Sequence, residues 1–220
     1  MTAIRTFATL TFALGLVACG TVEPPSRGAM DRDMMTLATR GEAPARDPQA
    51  AGLVLASQYD VEDIRIAVPR SLRVSEANTF YPIADIVWRG EGIGDRHAQV
   101  AAIFSEAMQT ATAPMQSGRK VVVEVTVVRF HCLTEKTRYT VGGTHSLKFD
   151  LTVRDAETGV VLDGPREIVA DIKAAGGAAA LAEDQAGRTQ RVVVVERLGE
   201  VLRRELSARV APQLLSQVVR

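Results

Sequence analysis

Four residues of this 220-residue chain have the chemistry of a modified or ligating site: Cys19, His97, His131 and His145. Cys19 follows Leu16-Val17-Ala18. That order is a lipobox, where a bacterial signal peptide is cut and the new N-terminal cysteine is acylated. Each histidine falls in phase with an apolar row: His97 with Val100 and Phe104, His131 with Val121 to Val127, His145 with Leu147 and Phe149. A hairpin centred near residue 138 would set His131 and His145 nearly opposite one another. Helix reversal would bring His97 over the same end, and three converging imidazoles are a zinc-binding set. The competing role is plainer, since histidines at sheet ends commonly hydrogen-bond the backbone. Arg138, Tyr139, Gly142 and Gly143 share the same turn and are the candidate rim of any pocket there.

No recognised catalytic pattern accompanies these residues. The chain has no G-x-S-x-G, P-loop, G-x-G-x-x-G, H-E-x-x-H or C-x-x-C. Gly92 and Gly94 precede a helix, as phosphate-binding glycines do, but Glu91 and Asp95 beside them would repel a phosphate. No cofactor and no enzymatic activity are expected. Cleavage before Cys19 would remove only Arg5 among charged residues, leaving 25 basic against 26 acidic side chains, which excludes the basic footprint of a nucleic-acid binder. Aromatic residues make up 5% of the chain, too few for a stacking surface. With Cys19 committed to lipid, Cys132 has no partner within the chain and is expected to be buried.

The segment before Cys19 has the shape of a targeting signal. Arg5 alone supplies the basic start, and Phe7 to Val17 is the apolar run. Spanning a bilayer takes roughly 20 apolar residues, so this run is too short. Residues 1–18 are read as a lipoprotein signal peptide and 19–58 as the acylated N-terminus and a flexible tether. Pro24-Pro25, Pro44 and Pro48 punctuate that tether. Met30 to Thr39 is a candidate short helix within it. Gly20 after Cys19, in place of the Asp that retains enterobacterial lipoproteins at the inner membrane, points to the outer membrane.

Residues 59–220 are read as one folded domain. Val61 to Pro69 alternates with period two, and Ile83 to Trp88 is a second, short strand. Asp95 caps a helix over Arg96 to Thr112, whose apolar stripe is Val100, Ile103, Phe104, Ala107, Met108 and Ala111. Lys120 to Cys132 is the longest strand, with Val122, Val128 and Phe130 expected among polar groups on its uncovered face, as scattered apolar residues of a solvated sheet or, alternatively, as a partner surface. Thr144 to Asp155 alternates cleanly, and Val160 to Ile172 returns after a Gly159 turn, bent at Gly164-Pro165. The Ala-rich run from Gly176 to Gly187 is a linker or a frayed helical start. A final helix from Thr189 carries Val194, Val195, Leu198, Val201, Leu202, Leu206 and Val210, with Gly199 where it crosses the sheet closely and Pro212 at its end. The expected architecture is α+β (ββαβββα): two amphipathic helices packed on one face of a mostly antiparallel sheet of about five strands.

Four stretches of this domain carry a family resemblance. They are V-E-D-I-R-I-A-V-P, F-Y-P-I-A-D-I-V-W-R-G, G-D-R-H-A-Q-V and R-Y-T-V-G-G-T-H-S-L-K-F-D-L-T-V-R-D-A-E-T-G. Through them, over Tyr59 to Ile172, the chain resembles uncharacterised alphaproteobacterial lipoproteins with a domain of unknown function. The D-A-E-T-G turn and the final helix are more distantly similar to auxiliary lipoproteins of lipid-transport ABC systems and the curli-secretion channel lipoprotein. That likeness implies an accessory role in assembly or transport and assigns no functional residue. The partners expected are the lipid bilayer, through acylated Cys19, and an envelope protein met in the periplasm. A periplasmic small-molecule or metal-binding protein is the alternative.

Overall fold

A computed structural model describes residues 54–210. Residues 1–18, read as a signal peptide, Cys19, most of the segment read as a tether with Met30 to Thr39, and Pro212 lie outside the described residues. Strand β1 (Val54–Ser57) is followed by β2 (Tyr59–Ala67), β3 (Ile86–Val87), helix α1 (Arg96–Thr112) and β4 (Arg119–His131). Then come α2 (Glu135–Arg138), β5 (Gly143–Asp155), β6 (Val161–Val169), β7 (Ile172–Ala174), α3 (Gly177–Gln185), α4 (Gln190–Glu205) and β8 (Ser207–Val210). Among the described residues no helix is long and apolar enough to cross a membrane.

The α+β class holds, but the sheet is mixed. Its order is β2-β4-β5-β6, with β3 on β4 and β7 on β5. Strands β2 and β3 run parallel to β4, while β4-β5, β5-β6 and β5-β7 are antiparallel. Parallel β2 and β4 require a crossover, and α1 supplies it. The expected strand Ile83–Trp88 shrinks to two residues. Asp85 and Ile86 give their N–H groups to the Arg73 carbonyl, which leaves only Ile86 and Val87 to pair with Phe130 and His131.

Helix α1 forms where the periodicity places it. Asp95 caps it by accepting from the Ala98 N–H, and Arg70 clamps the same carboxylate at 3.0 and 2.7 Å. The Arg70 hydrogen bond, then the Ala98 N–H, hold the Asp95 carboxyl down to about 2. The expected stripe of α1 is buried in full against Val121, Val123, Val125 and Val127 of β4 and Leu147, Phe149, Leu151 and Val153 of β5. Helix α4 buries Val194, Leu198, Val201 and Leu202 in the same core. Gly199 lies against α1, not the sheet: a Cβ there would sit 3.5 Å from the Ala107 carbonyl oxygen.

The ends of the domain differ from the sequence-based outline. Helix α4 stops at Glu205, and Ser207–Val210 becomes β8, antiparallel to β1. The folded body therefore begins inside the stretch expected to be tether. The Ala-rich run is helix α3, and the last meander strand is split into β6 and β7. Gly164, at φ +85 before Pro165, is the expected bend.

A bulge in β4 corrects the expected faces. From Val121↔Asp155 to Val127↔Phe149 the pairs are those of a hairpin centred on residue 138. Val128 then drops out of register, and Arg129 pairs with Lys148. One extra residue turns every later side chain over. Phe130 enters the core, its ring 5.5 Å from Trp88, instead of standing on the uncovered face. That face carries a charge ladder across three strands: Asp63 to Arg65 at 3.0 Å, Arg65 to Glu124 at 3.5 Å, and Arg154 to Glu124 at 2.8 Å. Of the two readings of this face, the solvated sheet describes it better than the partner surface: it is a row of surface ion pairs, each worth about 0–1 kcal/mol.

Candidate functional site

The bulge also separates the histidines. His131 pairs with Ser146, not His145, and turns away from the core. It donates its Nε2 proton to the Pro82 carbonyl at 3.0 Å and stacks on Tyr81 with ring centroids 4.6 Å apart. His97 donates from Nε2 to the Leu72 carbonyl at 3.1 Å. His145 stays on the core side, fully buried, and its Nδ1 accepts the Leu133 N–H at 3.3 Å. Among the described residues no three His, Cys, Asp or Glu side chains stand where one metal ion would be held. Backbone groups hold all three imidazoles, so the candidate metal set does not assemble.

His145 keeps one polar atom without a partner. Its Nδ1 is an acceptor, so the neutral ring carries its proton on Nε2, and that nitrogen is buried and unbonded. Burial first, and the Arg138 charge second, push its pKa down to about 4. Trp88 Nε1 is the other buried polar atom of this kind among the described side chains.

Beside them opens a cleft of about 300 Å³, lined by Arg89, Gly90, Glu135, Arg138, Tyr139, Asp184, Thr189 and Gln190. Two of the four expected rim residues, Arg138 and Tyr139, line it. Gly142 and Gly143 do not. Gly142, at φ +70, packs instead on the Ala174–Gly176 backbone, where a Cβ would come within 2.7 Å of the Gly176 nitrogen. The cleft walls come from separate elements. Arg89 and Gly90 follow β3, Glu135 and Arg138 are on α2, Asp184 is on α3, and Gln190 opens α4. Thr134 and Thr189 cap α2 and α4 through their hydroxyls.

Charges in the cleft are matched. Arg89 Nε reaches both Glu135 oxygens at 2.9 Å, and its Nη1 reaches Glu76 at 2.9 Å. Glu76 also accepts from buried Arg96 at 2.6 and 2.9 Å. Arg138, 4% exposed, donates to Asp184 at 2.8 Å, and Tyr139 donates to the second Asp184 oxygen at 3.2 Å. Burial, the largest influence, works to raise the Glu135 carboxyl, but the Arg89 hydrogen bonds, its own backbone N–H and the Arg89 charge together outweigh it and leave the group below its ordinary range. Gly90 is required by space: a Cβ there would meet the Trp88 ring at 2.3 Å. Gln190 donates to the Leu133 carbonyl at 3.2 Å, so the backbone of Leu133 links the cleft to His145.

Sequence reasoning missed Arg89, Glu135, Asp184 and Gln190. Each is an ordinary polar residue at the end of an element, and only the folded arrangement brings them together. Cys132 is buried as expected, and desolvation drives its thiol well above the usual range, with a hydrogen bond from Gln190 opposing. Iodoacetamide should therefore label Cys132 of the full chain carrying Cys19→Ala at least roughly tenfold more slowly in native buffer than in urea. Equal rates would show the thiol to be open.

Exposed apolar side chains gather at the same end of the sheet. Phe80, Tyr81 and Ile83 are 52%, 67% and 84% exposed, and Tyr139 and Val141 follow α2. Asn78 caps the Lys136 N–H, and Thr134 and Thr137 bind the Thr79 and Phe80 carbonyls, which fixes this loop on α2.

The chain matches the model of a family of unknown function (DUF6778) over residues 59–218. No curated protein matches it. Among solved structures it is similar to a candidate lipoprotein from Caulobacter crescentus CB15, at 14% identity and a TM-score of 0.34, over 70% of this chain and 91% of that one. It is also similar to a DUF330 protein from Xanthomonas campestris, at 12% identity and a TM-score of 0.38, over 77% of this chain and 94% of that one.

Proposed function

This chain belongs to the family of unknown function DUF6778, and we propose that it is a lipid-anchored envelope protein that acts by binding another component and not by catalysis. One observation carries the anchor: a single-charge start, an eleven-residue apolar run and Leu16-Val17-Ala18-Cys19-Gly20, in that order. Attachment through more than one acyl chain is stable where one chain is marginal. Gly20 favours the outer membrane, with the domain facing the periplasm and meeting an envelope protein there. The cleft supports binding over catalysis. Each of its charged side chains already meets an opposite charge, so neither carboxylate is a free base.

Radiolabelled palmitate tests the anchor. Label should enter the wild-type protein and be lost, together with membrane association, in Cys19→Ala. Equal labelling of both proteins, or of neither, would overturn the anchor. A second reading, a small-molecule binding protein, is favoured by the cleft itself, whose volume is at the lower end of that of ligand sites.

A further inference from the structure

The cleft holds two guanidinium groups, Arg89 and Arg138, and two carboxylates, Glu135 and Asp184. Its formal charge is balanced. A ligand bearing one charge would leave that charge, or one it displaces, uncompensated in a partly buried site, which is costly. A ligand bearing both signs can exchange an internal pair for two new ones and keep the balance.

The pair best placed to exchange is Arg138–Asp184. Arg138 is 4% exposed and cannot turn to water, so it must keep an anionic partner. Asp184 comes from α3, which buries Ala180 alone. Gly177 at φ +57 and Gly187 at φ +76 bound that helix. Asp184 can therefore yield the guanidinium to another anion, while Arg138 stays fixed on α2.

We infer that this cleft binds a small zwitterion, its phosphodiester or carboxylate seated on Arg138 and Arg89 and its ammonium on Glu135 and Asp184. The inference deepens the small-molecule reading and is independent of the lipid anchor. Tyr139 gives the anionic group a further donor. The Gly90 backbone, pressed on the Trp88 ring, keeps the wall open, because any side chain there would displace the buried indole.

Isothermal titration of the full chain carrying Cys19→Ala tests this with glycerophosphoethanolamine, whose phosphodiester carries one negative charge against its ammonium, and with glycine, inorganic phosphate and ethylammonium. Glycerophosphoethanolamine should bind one to one, and phosphate and ethylammonium about tenfold more weakly, since each satisfies half of the site. Glu135→Gln should weaken glycerophosphoethanolamine about tenfold but not phosphate, which then compensates the freed Arg89. Phosphate binding as tightly as glycerophosphoethanolamine would overturn the inference in favour of a simple anion site. Heat from neither glycerophosphoethanolamine nor glycine would overturn it outright. These comparisons use one folded protein, so they stand even if Glu135→Gln lowers stability. Failure of the wild-type protein to take up palmitate, with the titration intact, would refute the anchor alone.

Discussion

Phe104→Ala should remove about 3–5 kcal/mol of folding stability, the range for truncating a buried Phe. Phe104 is fully buried on α1, and its ring meets the Phe149 ring edge-on at 5.4 Å and lies 6.2 Å from the Phe130 ring. One side chain therefore joins the helix to both central strands. The loss combines transfer of the ring to water with the cavity left among residues that cannot all close in. A domain of this size has roughly 5–15 kcal/mol in total, so the variant should approach the edge of folding. Phe104→Leu keeps most of the volume and should cost much less. On the exposed side of the same helix, Gln109→Ala should stay within about 0.5 kcal/mol. Urea unfolding of the three proteins decides it, and a Phe104→Ala loss below about 1 kcal/mol would mean that the core is not held at this point.

His145 should make stability fall as pH drops from about 7 to about 4. Its folded pKa of about 4 lies below the ordinary 6.5, because burial first and Arg138 second oppose the proton. Between those two values the unfolded chain takes up a proton that the folded chain refuses. More protons on the unfolded state means stability that rises with pH through this window. The whole difference amounts to about 3 kcal/mol, present above about pH 6.5 and gone near pH 4. Asn at position 145 keeps an acceptor for the Leu133 N–H but cannot titrate. His145→Asn should lose the slope in this window while His97 and His131 remain. Carboxylates act lower down. Asp95, held to about 2 mainly by Arg70, loses its contribution only below about pH 4. Urea midpoints at pH 7, 6, 5 and 4.5 separate the two. A wild type equally stable at pH 7 and 4.5, or an Asn variant with the same drop, would sink the assignment.

The core was legible because its signals are local. The stripe of α1 and the alternation of β5 are properties of a single element, and Asp95 caps from an adjacent position. Three features were not legible, each for its own reason. The Val128 bulge is one uncounted residue in an otherwise regular strand, and it turned Phe130 inward and His131 outward. The β1-β8 pair joins Ser57 to Ser207, so neither four-residue strand had a neighbour in sequence to mark it. The cleft draws on residues from position 89 to position 190, and only its α2 portion fell within a turn already under suspicion. Periodicity reports which face a residue takes until something interrupts the count. It does not report which distant ends meet.

That meeting of ends makes the folded body a closed ring. Val54 stands opposite Val210, so the chain comes in and goes out at the same corner. Tyr59 pairs with Arg119 at the start of β4, whereas the cleft lies beyond His131 at its other end. Along β4 the two are twelve residue steps apart, about 40 Å of strand. Whatever restrains the N-terminal side therefore also fixes where the C-terminal side departs. A load applied there has two routes to the cleft: along the central strand, or along α4, which ends beside β8 and whose first residue, Gln190, lines the cleft.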